Sequence, residues 1–118
     1  MILLEYLSAK LTPLGARPQL MISGMGFMLN GNLVIGMRKT GLIVRVGTDN
    51  EAKAAKTRGA TVMEMGGKVM RGWIRVEPEG CKSEAQVERS LSMALAFNKT
   101  LPPKGAIKKT TKKNKARS

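Results

Sequence analysis

The links between the extended segments of this chain are too short to let one strand run parallel to the next. Asn30-Gly31, Lys39-Thr40-Gly41 and Gly66-Gly67 each separate two strand-forming runs by only two or three positions. A parallel crossover needs about a dozen residues or more, so each of these pairs is read as an antiparallel hairpin. Asn-Gly is a strong hairpin signal because both residues tolerate positive φ. The runs themselves cover residues 20–29, 33–37, 42–46, 60–65 and 68–76, and the third is rich in β-branched side chains.

Helices fill the remaining intervals. Leu3, Leu7, Leu11 and Leu14 recur at helical spacing with Leu4 beside them, which predicts an amphipathic helix over 2–11 stopped by Pro13 and Gly15. Thr48 and Glu51 have capping-box spacing and predict a short helix over 50–58, ended by Gly59. Ser83 and Gln86 have the same spacing and open a helix to Asn98, with Val87, Leu91, Ala94, Leu95 and Phe97 as its core stripe. Leu101-Pro102-Pro103 closes the domain, since two prolines cannot continue a helix. The order is α-β-β-β-α-β-β-α. A single α+β domain over residues 1–103 is expected, with an antiparallel sheet and helices packed on one face.

Charge divides the chain at that same point. Of 21 Lys+Arg and 8 Asp+Glu, the last fifteen residues hold seven basic side chains and no acid, leaving 14 against 8 before them. The formal +13 is therefore a +6 body followed by a +7 tail. The tail, 104–118, has Ile107 as its one large apolar residue, too little to offset its ordering entropy, so it is expected to be disordered when free.

Several chemistries are excluded early. The absence of His removes His-based triads and imidazole metal sites. One cysteine, Cys81, permits no internal disulfide and no thiolate cluster. No apolar run nears the roughly 18 residues that span a bilayer, and Met1-Ile2-Leu3-Leu4-Glu5 lacks the basic start of a secretory signal, so no membrane role and a cytoplasmic location are expected. Gly24-Met25-Gly26 lies between strands and is no dinucleotide fingerprint. Glu77 and Glu79 flank Pro78 with no carboxylate partner for acid–base work. No catalytic residue, cofactor or metal ligand is expected.

Particular stretches add a resemblance. Phe27-Met28-Leu29-Asn30-Gly31-Asn32, Leu42-Ile43-Val44-Arg45-Val46-Gly47, Arg58-Gly59-Ala60, the run from Met63-Glu64-Met65-Gly66-Gly67 through Trp73-Ile74-Arg75-Val76, and Ala94-Leu95-Ala96-Phe97 with Leu101-Pro102-Pro103-Lys104 follow in order over residues 20–104. Together they resemble the N-terminal domain family of TfoX, the bacterial competence regulator. The resemblance implies a small α+β domain with an antiparallel sheet and brings no catalytic residues. It implies a regulatory or adaptor module acting through protein contacts, with the sheet face and last helix as contact surfaces and a homodimer allowed.

Two groups of residues carry a second expectation, nucleic-acid contact. Lys104, Lys108, Lys109, Lys112, Lys113, Lys115 and Arg117 in the tail suit phosphates, in a sequence-independent and salt-sensitive mode; the bland alternative is a solubilising extension. On the strand 68–76, alternation would put Arg71, Trp73 and Arg75 on one face, with Arg45 extending it, so that Trp73 stacks a base between guanidinium groups. The competing expectation, and the favoured one, is that Trp73 packs under a helix while the arginine stems cover apolar surface. The nine methionines are expected mainly to fill the core.

Overall fold

A computed structural model describes residues 2–21 and 24–102 of the chain. The elements run α1 (Leu3–Leu11), β1 (Arg17–Met21), β2 (Gly24–Leu29), β3 (Asn32–Arg38), β4 (Gly41–Arg45), α2 (Glu51–Ala55), β5 (Ala60–Met65), β6 (Lys68–Val76) and α3 (Glu84–Asn98). The strands form one antiparallel sheet in the order β1-β2-β3-β4-β6-β5. The α+β class and the antiparallel sheet follow the sequence reading. The expected 20–29 strand proves to be the two strands β1 and β2. Pro18 has no N–H to give a ladder, which fits its place on β1, an edge of the sheet.

The helices gather on one side. Leu7 and Leu11 of α1, Ala54 of α2, and Val87, Leu91 and Ala94 of α3 are buried in one cluster with Phe27, Ile35, Leu42, Val44, Ile74 and Val76 of the sheet. Register accounts for those sheet residues: Phe27, Ile35, Val44 and Ile74 stand in one row, and Leu42 and Val76 in the next. The β2–β3 register shifts after Phe27 and leaves Val34 as an extra residue, so Val34 and Ile35 are both fully buried. Leu95 and Phe97 are only half-buried, and Asn98 is buried instead, its Nδ2 donating to the Leu29 carbonyl at 3.2 Å.

The two capping boxes come out differently. At Ser83 both bonds form: the hydroxyl accepts from the Gln86 N–H at 3.2 Å, and Gln86 Oε1 accepts from the Ser83 N–H at 3.1 Å. At Thr48 neither forms. Residues Thr48–Asn50 make a 3₁₀ turn, α2 begins only at Glu51, and the Glu51 carboxylate is used elsewhere. The basic residues from Lys104 onward lie outside the described residues.

Candidate functional site

The helices cover one face of the sheet; to the other, among the described residues, α3 reaches only at the β4 end, where Phe97 meets Arg45. The pairing Gln19–Gly26–Gly36–Ile43–Arg75–Thr61 marks a row running right across that second face. Alternation from this row adds Arg17 on β1, Arg38 on β3, Arg45 on β4, and Trp73 and Met63 nearby. Four arginines thus share one face with one carboxylate, Glu77, just beyond the end of β6. At the centre the row is closed off from solvent, with Gly26 and Gly36 both buried. Ile43 is 5% exposed, and the Met21 thioether lies over the two glycines Gly26 and Gly36.

Each arginine is held differently. Arg75 Nε donates to Glu77 Oε2 at 2.7 Å. The Arg45 guanidinium sits 5.4 Å from the Trp73 ring centroid and 5.4 Å from that of Phe97, stacked between the two. Arg17 is exposed. Arg38 is half-buried, and its Nη1 is buried with no hydrogen-bond partner among the described residues.

Arg71 does not join them. Gly72 has φ +85°, a left-handed conformation open to glycine, and the β5–β6 register shifts at this place. The shift breaks the alternation, and Arg71 turns toward α2, with Nε 2.9 Å from Glu51 Oε1. The other oxygen of Glu51 accepts the Gly72 N–H at 2.8 Å, while the Gly72 carbonyl accepts from the amides of Val46 and Gly47. The bond from Gly72, reinforced by Arg71, holds the Glu51 carboxyl below the usual carboxylate range. This cluster fixes the bulge that delivers Trp73 to the uncovered face. Trp73 therefore is half-buried against Arg45 rather than tucked beneath a helix.

Arg38 and Arg17 were not among the residues expected at a site. Arg38 is brought there by the β3–β4 register, which pairs it with Gly41 and puts it on the face of Ile43. At Cys81 burial, then the charge of Glu77, pushes the thiol up, and Sγ donates to the Glu77 carbonyl. Among the described residues no three His, Cys, Asp or Glu side chains converge to hold a metal, and no helix is long and apolar enough to cross a membrane.

Hollows on the helix side include a small cavity, a wide groove, and a third of about 270 Å³ between residues 46–50 and the end of α3. A cavity of about 20 Å³ between α2, α3 and the sheet, with Arg58 and Arg89 in its lining, has room for about one water. A wide groove of about 560 Å³ between α1 and β1–β2 is lined mainly by apolar side chains, among them Leu4, Pro18, Met25 and Phe27.

Compared with known proteins, the chain matches the family model of the TfoX N-terminal domain over residues 5–98. No curated protein and no solved structure matches it.

Proposed function

This chain belongs to the TfoX N-terminal domain family, and from that premise we propose that it is a non-catalytic adaptor domain that docks an acidic segment of a partner protein on the uncovered face of its sheet. The observation that carries this reading is the imbalance of four arginines to one carboxylate on one face of the sheet. Arginine is enriched at protein–protein interfaces, whose rims are polar and charged. A positive rim selects a negative partner and speeds their encounter. A cytoplasmic setting, where such partners are met without disulfide chemistry, accords with the single cysteine.

Nucleic acid is the second reading, favoured by the +7 of residues 104–118. It predicts affinity that falls steeply with salt and largely disappears on truncation after Pro103. It is the weaker of the two on the sheet face, because the stacking surface there is a single half-buried ring with Arg45 over one side of it.

The test is co-purification from the native host with the full chain and with a charge-reversed face, Arg38→Glu with Arg75→Glu, each with and without nuclease. The proposal expects a bound protein that survives nuclease and is lost on charge reversal. Capture that nuclease abolishes selects the second reading. Equal capture by the reversed variant removes the sheet face from both.

A further inference from the structure

Arg38 closes β3, with Gly24 of β2 and Gly41 of β4 as its cross-strand neighbours. Neither neighbour has room for a side chain. A β-carbon at Gly24 would run into the Met37 carbonyl oxygen, and one at Gly41 into that of Val76. Arg38 thus stands between two stretches of bare backbone, where no cross-strand side chain can reach over to satisfy it.

Of the four arginines on this face, Arg75 holds a carboxylate, Arg45 lies between two rings and Arg17 is exposed. Arg38 alone combines a buried N–H with no acceptor among the described residues. A guanidinium cannot shed its proton to escape that position. Burying a charged donor without an acceptor is costly, and such orphans in a folded protein mark strain, catalysis or the place of an ion.

We infer that Arg38 anchors an oxyanion seat on the sheet face, and that its ligand is a carboxylate borne by the acidic segment of a protein partner. The inference rests on the reading of this face as the docking surface and names the group recognised there. The face itself indicates the chemistry: Arg75, one row away, is satisfied by the carboxylate of Glu77 at 2.7 Å. A planar guanidinium meets a carboxylate through two parallel N–H···O bonds. A phosphate would make similar bonds. A nucleic-acid strand would gain further from base stacking, for which the face offers only the half-buried Trp73 ring with Arg45 over one side of it.

Trp73 is the single tryptophan and lies on the same face, so its emission reports binding there and not at the tail. A ten-residue extended peptide reaches about 33 Å, enough to cover Trp73 and Arg38 together. The full chain is titrated with a decaglutamate peptide, and separately with decathymidylate, for wild type, Arg38→Lys, Arg38→Gln and Arg17→Gln. The inference expects a Trp73 response to the peptide, weakened about tenfold or more by Arg38→Lys, which keeps the charge but loses the fork, and less than about threefold by Arg17→Gln. It also expects Arg38→Gln to melt at or above the wild-type temperature, since that variant removes the buried guanidinium N–H that lacks an acceptor.

Equal losses in Arg38→Lys and Arg17→Gln leave the docking face standing and overturn the seat. A wild-type peptide complex that leaves Trp73 unmoved overturns the docking face and the seat together. An Arg38-dependent response to decathymidylate, with none to the peptide, overturns the carboxylate assignment. A sharp fall in the melting temperature of Arg38→Gln makes Arg38 a structural residue and overturns the seat as well.

Discussion

Replacing Gly47 with alanine separates two costs that the fold imposes at the end of β4. Gly47 has φ +85° and ψ +158°, a region essentially closed to residues with a β-carbon. The backbone term alone is worth about 1–3 kcal/mol. A second term is specific to this place. The new β-carbon would overlap Cδ1 of Phe97 and stand 2.6 Å from Cε1 and 3.1 Å from Cγ. Those three atoms form one edge of the ring, so the ring must turn as a body and leave the Arg45 guanidinium, 5.4 Å from its centroid. Loss of that stacking adds about 1 kcal/mol. Gly66 supplies the control: it too has positive φ, +60°, but a β-carbon there meets nothing within 4 Å. Gly66→Ala should therefore cost about 1–2 kcal/mol from the backbone alone. At ~4–8 °C per kcal/mol for a domain of this size, Gly47→Ala should lower Tm by roughly 10–30 °C, clearly more than Gly66→Ala does. The assay is thermal unfolding by circular dichroism with Trp73 emission recorded in parallel, because Arg45 stacks on Trp73 as well. Trimming the ring in a Gly47→Ala, Phe97→Leu double variant should recover part of the loss as a non-additive term. Equal losses for Gly47→Ala and Gly66→Ala, with Trp73 emission unchanged, would refute the reasoning.

Three further outcomes follow from the same geometry. Glu51 has its carboxyl held below its ordinary value of 4.5 in the folded state, so its contribution to stability is present above that value and is lost as pH falls below it; Glu51→Gln should flatten this acid-side loss in urea titrations between pH 6 and about pH 3 and loosen the Gly72 bulge. Tyr6 donates to Glu88 Oε1 at 2.8 Å, and that bond to a carboxylate raises its hydroxyl to about 12; its stabilising effect is complete below its ordinary value of 10 and lost as pH rises through about 12, so Tyr6→Phe should show less alkaline destabilisation than wild type over that window. Leu91, 1% exposed under the sheet, should lose about 2–5 kcal/mol on Leu91→Ala, whereas half-buried Leu95→Ala should lose clearly less in the same denaturant series.

What could be read in the sequence was whatever neighbouring residues decide among themselves. The β2–β3 turn is one case: Asn30 and Gly31 take φ +56° and +78°, the left-handed pair that their residue types favour. The start of α3 is another, since Ser83 and Gln86 find each other within one helical turn. Thr48 and Glu51 have identical spacing but no such outcome. Glu51 is claimed by Gly72, twenty-one residues away, and that long-range bond prevails over the local one. Capping-box spacing therefore states an option, and tertiary competition decides whether it is taken.

The site was less legible for the same reason. Placing Arg71, Trp73 and Arg75 on one face assumes unbroken alternation, and a lone glycine inside a strand pattern is the sign that alternation will fail. Gly72 is that sign. Its bulge sends Arg71 to Glu51 and leaves Trp73 and Arg75 on the uncovered side. Arg38 was overlooked from the opposite direction: nothing near it in sequence is unusual, and its importance arises only when the hairpin register puts Gly24 and Gly41 beside it. In both places glycine determines where an arginine ends up, by bending a strand at Gly72 and by withholding side chains at Gly24 and Gly41. Substitution at any of these three glycines should therefore alter the charge pattern of the sheet face as well as the stability of the fold. Binding and melting measured together on Gly72→Ala would show both effects at once, with the Arg71–Glu51 contact and the Trp73 environment shifting in step. A Gly72→Ala variant that melts lower while Trp73 emission and peptide affinity stay at wild-type values would break the link between the bulge and the face.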